Sequence, residues 1–239
     1  MWNRIDLKQN AKEILRKCYW PAFAVSLVLM IVNGSSNGSG QSTYNSSEIG
    51  MQWLPLIILV GLVVVSVGIL IKIFVGYSLE VGGRKFYIEA IKDNVNAGYL
   101  AYGFKSSGFL NIVKVMFVRS MVTFAWALLL IVPGIIKYYA YRMVPYILAE
   151  NPHMEYKRAL ELSVQMTQGE KMNIFVLDLS FIGWYLLGAL LMGIGILFVQ
   201  PYVDMTHALL YKELRASVIL SGESTESEFE NEDDDYDQI

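Results

Sequence analysis

Apolar residues in this chain gather into long runs separated by short polar and basic stretches. Each run predicts a helix that crosses a bilayer. The clearest covers residues 53–76, with no charge from Ile49 to Ile71, 23 residues in a row. A second covers 113–133 and closes on Pro133-Gly134, with Lys114 and Arg119 at its start. A third covers 173–199, uncharged from Leu179 to Val203, and closes on Gln200-Pro201. Three runs are weaker. Residues 18–33 would span about 24 Å, short for a ~30 Å hydrocarbon core. Residues 135–149 are interrupted by Lys137, Arg142 and Pro145, and 202–220 contain Asp204 and His207. The fold class is all-α: a polytopic transmembrane helix bundle of about six spans. Gly61 with Gly68, and Ala189 with Gly193, are small-residue faces that allow helices to approach.

The segments between the runs have their own patterns. In residues 1–17 the positions Leu7, Ala11, Ile14 and Leu15, continued by Cys18, form one stripe flanked by Lys8, Lys12 and Arg16. That is a basic amphipathic helix, able to lie among headgroups or to lead into the first span. Residues 77–112 are mixed and basic, with short amphipathic pieces. Asn151-Pro152 reads as a helix start, and in 152–168 Tyr156, Ala159, Leu160, Ser163, Val164 and Thr167 share a face. Residues 34–50 are a flexible Gly/Ser/Asn loop. Residues 221–239 are acidic and poor in aromatics, which predicts a disordered tail. Three regions result: the amphipathic start 1–17, the membrane domain 18–220 and the tail 221–239.

Composition sharpens the class. Of 239 residues, 54% are hydrophobic and 17% charged, with mean hydropathy +0.41, where a soluble domain carries about 25% charged residues. The net charge of −3 hides an asymmetry. The tail holds nine acids and no base, so residues 1–220 carry nineteen bases against thirteen acids, net +6. A basic body suits an anionic inner leaflet. Lys and Arg cluster in residues 1–17, 77–112 and 150–172 and in the last segment. They are absent from 34–50, Pro133-Gly134 and Gln200-Pro201. That alternation predicts six spans with both termini cytoplasmic, in the cell membrane.

Catalytic signatures are missing. There is no H-E-x-x-H, Walker A or G-x-G-x-x-G pattern. The match Gly34-Ser35-Ser36-Asn37-Gly38 to G-x-S-x-G falls in a low-complexity loop without the strand and helix a nucleophile elbow needs. One cysteine and two histidines make a zinc site of the usual kind unexpected, and no cofactor or nucleic-acid partner is indicated. The nearest thing to a site is a set of charges inside the apolar runs, where an ionisable group costs at least ~2.5–3.5 kcal/mol on insertion scales. Counting depth from the expected helix stops pairs Lys137 with Asp204 near the outer side and Arg142 with Asp178 nearer the inner side. His207 is either a proton relay or a neutral imidazole bonded within the bundle. The Tyr138-Tyr139-Ala140-Tyr141 stretch reads as an interfacial aromatic belt.

Three stretches together resemble an uncharacterised bacterial membrane family, domain of unknown function 975. They are Leu7-Lys8-x-x-Ala11-Lys12-x-x-Leu15-Arg16-x-x-Tyr19-Trp20, then Val132 to Lys137 with Pro145 to Pro152, then Leu179 to Trp184 with Pro201-Tyr202. The resemblance implies a bacterial cytoplasmic-membrane protein and carries over no catalytic or binding residue. The functional expectation is a non-catalytic binding, regulatory or assembly protein of the membrane, working on a membrane or cytoplasmic protein partner. The alternative is a transporter or a lipid- or amphiphile-handling protein.

Overall fold

A computed structural model describes residues 2–34, 54–190 and 194–230, which are helical with no strand among them. Helix α1 (Arg4–Gly34) runs from the basic start through the first apolar run. Pro21 lacks the N–H that would reach the Lys17 carbonyl, and the helix kinks at Cys18. The kink falls at the expected boundary between the amphipathic start and the first run. The stripe Leu7, Ala11, Leu15 and Cys18 is buried, in the core where α1 packs along the long helix α11 (Ile194–Leu220). This corrects the interfacial reading: protein, not headgroups, covers that face.

Helix α2 (Leu54–Ile71), a π-helical turn (Lys72–Gly76) and α3 (Tyr77–Ile91) follow one another without a break. Residues 56–68 are exposed throughout, whereas α3 buries Val81, Phe86, Tyr87, Ile88 and Ala90. The stretch 77–112 is therefore only partly the loop that its charge suggests. Its first half continues the apolar helix into the core, and Gly82 leaves room there for the Tyr99 and Leu100 carbonyls. A 3₁₀ turn (Ala97–Ala101) and α4 (Tyr102–Lys105) lead into α5.

Helices α5 (Phe109–Leu129) and α6 (Ile131–Ala140) form a hairpin about the extended residue Leu130. The reversal precedes Pro133-Gly134. Pro133 is the third residue of α6, where an N–H has no intrahelical partner to lose. The fourth apolar run is two short helices, α6 and α7 (Val144–Glu150), joined through a turn at 141–143. At about 15 and 10 Å neither crosses a bilayer, and α7 is buried from Val144 to Ala149.

Helix α8 (Tyr156–Met166) starts four residues later than Asn151-Pro152 predicts, because the Asn151 carboxamide accepts from the His153 N–H (3.0 Å) and closes a turn instead. Helices α9 (Lys171–Leu179) and α10 (Ile182–Leu190) rise together, and α11 returns. A Cβ at Gly188 or Gly195 would lie 2.6–2.8 Å from the other's backbone. That pair seats α10 on α11, whereas the expected Ala189–Gly193 face falls partly on residues 191–193, which lie outside the described residues. Pro201 is inside α11 and does not stop it. Nothing approaches within 4 Å of a Cβ at Gly61 or Gly68, so their face meets no part of this chain among the described residues.

Among the described residues, three helices are long and apolar enough to cross a membrane: Leu56–Ile91, Phe109–Leu129 and Lys171–Leu190. That is fewer than the six runs predict. The remaining runs fall short because α1 and α11 are apolar over only part of their length and the fourth run is broken. The hairpin tips are bare apolar surface, with Leu128 78% and Leu190 82% exposed. The tail also departs from expectation. Residues 221–230 turn at Gly222 (φ +77°), form α12 (Glu226–Phe229) and bury Phe229 against the body. One aromatic flanked by carboxylates suffices, because arginines await both. Residues 231–239 and 35–53, the latter holding most of the expected Gly/Ser/Asn loop, lie outside the described residues.

Candidate functional site: paired charges inside the bundle

Asp178 projects from α9 into a cluster supplied by α6, the turn that follows it and α11. Arg142, in the turn between α6 and α7, donates to one carboxylate oxygen. Tyr139 of α6 donates to the same oxygen (3.0 Å), and His207 of α11 lies 2.9 Å from the other. The structure thus brings Arg142 and Asp178 together, and joins His207 to them. His207 Nε2 also lies 3.0 Å from an Arg142 nitrogen. One ring nitrogen serves one of these neighbours: protonated it donates to Asp178, bare it accepts from Arg142. Tyr139 belongs to this cluster rather than to an aromatic belt, whereas its neighbour Tyr138 is exposed.

Lys137 and Asp204 are not brought together. Lys137 sits over the Trp126 and Tyr141 rings, at 5.5 and 5.4 Å from their centroids. Asp204, 4% exposed, faces α1 and α3. It accepts from Arg84 Nη1 (3.0 Å), Ser26 Oγ (2.8 Å) and Gln200 Nε2 (3.2 Å). The Tyr87 hydroxyl lies against both Ser26 Oγ and the Ala22 carbonyl (3.0 Å), and its one proton serves one of them at a time. Arg84 lies over the Tyr146 ring. The error traces to the helix stops. Reversal at Leu130 and between Leu190 and Ile194 puts Lys137 about 10 Å and Asp204 about 15 Å along their helices, so the matched depths vanish. The partner that sequence reasoning missed is Arg84. It was hidden in a stretch read as a basic loop, and the signal for it was the apolar helix that continues through Ile91.

A third pair, Arg119 with Glu80 (3.4 Å), ties α5 to α3. Along α11, Gln200, Asp204, His207, Tyr211 and Arg215 recur at helical spacing and all meet polar partners. Tyr211 donates to Glu150 (2.5 Å), and Arg215 faces the same carboxylate at 3.0 Å. Chemically these are clamps. Each carboxylate holds a cation from another segment, and hydroxyl or amide groups bond those at Asp178, Asp204 and Glu150.

No curated protein and no solved structure matches the chain. A family model does match, over residues 113–218, which include Arg142, Asp178, Asp204 and His207 but not Arg84, Ser26 or the motif at 7–20. Its description is Protein of unknown function (DUF975), and residues 113–218 of this chain are similar to that uncharacterised family.

Proposed function

We propose that this is a non-catalytic binding and assembly protein of the bacterial cytoplasmic membrane. In this reading three helical hairpins enter the membrane from a cytoplasmic helical body. The single observation that carries the proposal is the destination of the buried charges. Arg84, Arg119 and Arg142 each hold a carboxylate from another helix, so these charges lock helices together. A transport path would instead present such groups to water or cargo.

The limbs run away from and back to one body in the order α1 and α2, α5 and α6, α10 and α11. This supports six limbs with both ends on the cytoplasmic side, the 34–50 loop outside, and an inner surface basic enough to sit on anionic lipid. Trp2 and Glu223 line one cavity of about 450 Å³ together with Glu170 and Glu213, which supports ends on the same side. A partner in the membrane or cytoplasm is part of the proposal.

The test is reconstitution. Proteoliposomes holding trapped ions and asymmetrically labelled lipid should lose both at the rate of protein-free vesicles. Flux or scrambling above that rate, abolished in a folded Asp178→Asn or Asp204→Asn variant, would establish the transporter reading instead.

A further inference from the structure

The first ten residues of the acidic tail dock on the body through directed contacts. Arg158 of α8 forks Glu228, with Nε to Oε1 at 2.5 Å and Nη2 to Oε2 at 2.9 Å. A two-point fork reads a planar carboxylate rather than negative charge in general. Ser224 Oγ donates to the same carboxylate (2.6 Å), Arg158 also donates to the Glu223 carbonyl (2.9 Å), and the Asn151 side chain donates to the Glu228 carbonyl (3.0 Å). On the other side Arg215 holds Glu226 at 2.9 Å and lies 4.5 Å over the Phe229 ring, which is 2% exposed. A four-residue helix has no stability of its own, so the groove holds α12 in place.

We infer that the groove between α8 and α11 is a binding site for a short acidic peptide containing phenylalanine, and that residues 224–229 occupy it as an exchangeable ligand. Both arginines keep a second partner on the body. Arg215 faces Glu150 at 3.0 Å, and Arg158 reaches Glu161 at 3.8 Å and Gln165 at 3.4 Å. When the segment leaves, neither cation is stranded, so departure does not carry the penalty of an unpaired buried charge. Arg158 reads the Glu228 carboxylate, Arg215 reads Glu226 and the Phe229 ring, and Asn151 reads the Glu228 carbonyl, which together select an E-x-E-F pattern. Tethering through Ser221-Gly222 keeps the segment at an effective concentration in the millimolar range, so the intact chain excludes a competing peptide until its own segment is displaced. The inference depends on the binding-and-assembly reading only for its use in the cell. Peptide binding is measured directly and fails or succeeds apart from the transport assay.

The test places a protease site after Gly222 in the full chain. The purified, folded protein is cut in detergent and washed at high salt, which weakens ion pairs. A labelled peptide spanning residues 221–232 is then added and followed by fluorescence anisotropy. The cut protein should bind it saturably, and the uncut protein should not at the same concentrations. Arg158→Gln should weaken binding at least about tenfold. A cut Arg158→Glu protein should prefer a peptide carrying Glu228→Arg. Helicity and monodispersity of the washed protein are followed in parallel. Unfolding on loss of the segment would make it a permanent part of the body and overturn the inference. So would a segment that never exchanges, equal binding to cut and uncut protein, or no effect of Arg158→Gln.

Discussion

The Arg84–Asp204 pair offers the sharpest check on the helix arrangement. Asp204→Asn keeps the shape and removes the charge. Arg84, with 18% of its side chain exposed, then loses its only carboxylate within 4 Å among the described residues and keeps the Tyr146 face at 5.1 Å. Stranding one member of a buried pair costs about 3–5 kcal/mol. For a chain of this size each kcal/mol moves the melting midpoint by roughly 2–4 °C, so the apparent Tm should fall by roughly 6–20 °C. Arg84→Gln should cost somewhat less, because Asp204 retains the Ser26 and Gln200 bonds at 2.8 and 3.2 Å. In the double variant neither charge is stranded, and about 1–3 kcal/mol should return as coupling. Tryptophan fluorescence during heating in detergent reads all four proteins. The same cycle on Lys137→Gln and Asp204→Asn is the internal control and should be additive within about 0.5 kcal/mol. Additivity for Arg84 with Asp204, or comparable coupling for Lys137 with Asp204, would refute the register of α3 against α11.

Asp178→Asn should destabilise more than Arg142→Gln, because the carboxylate meets three partners and the arginine's removal leaves His207 and Tyr139 in place; equal Tm losses would contradict that network. Gly188→Val should split the α10–α11 hairpin, since any Cβ there meets Gly195 and Ile196 backbone at 2.8 Å. A loss of ~1–3 kcal/mol or more should show as poor monodispersity, and wild-type behaviour would be inconsistent with the packing. In a Cys18→Ser background, an impermeant maleimide should label a cysteine at 42 and not one at 224 in intact cells; the reverse pattern would invert the proposed orientation. The Arg158 hydrogen bonds hold the Glu228 carboxyl below its usual value of 4.5. A depressed carboxyl favours docking above its free value and loses that contribution as pH falls through the docked value. Tail docking should therefore be constant from pH 7 to 5 and weaken only below about 4.5, as read by anisotropy of a labelled tail.

Much of this architecture is legible in the chain because apolar length and local charge are local properties. Backbone groups in hydrocarbon must bond within their own segment, so a run such as 53–76 is helical wherever it packs. Arg142 and Asp178 were paired by counting from Glu150 and Lys171, ends at which the helices do terminate or begin. The Lys137–Asp204 pairing counts from Gly134 and Pro201, which sit inside helices. Where a chain reverses depends on which backbones can touch, and Gly188 against Gly195 is a contact between segments that no local pattern reveals. The same holds for Leu7, Ala11 and Leu15: an apolar stripe specifies that something covers it, and only the packed bundle decides that α11 does so instead of lipid. The acidic tail is the clearest case. By composition it lacks the apolar area to fold alone, and residues 221–230 fold because Arg158, Arg215 and Asn151, far away in sequence, converge on Glu228 and Phe229.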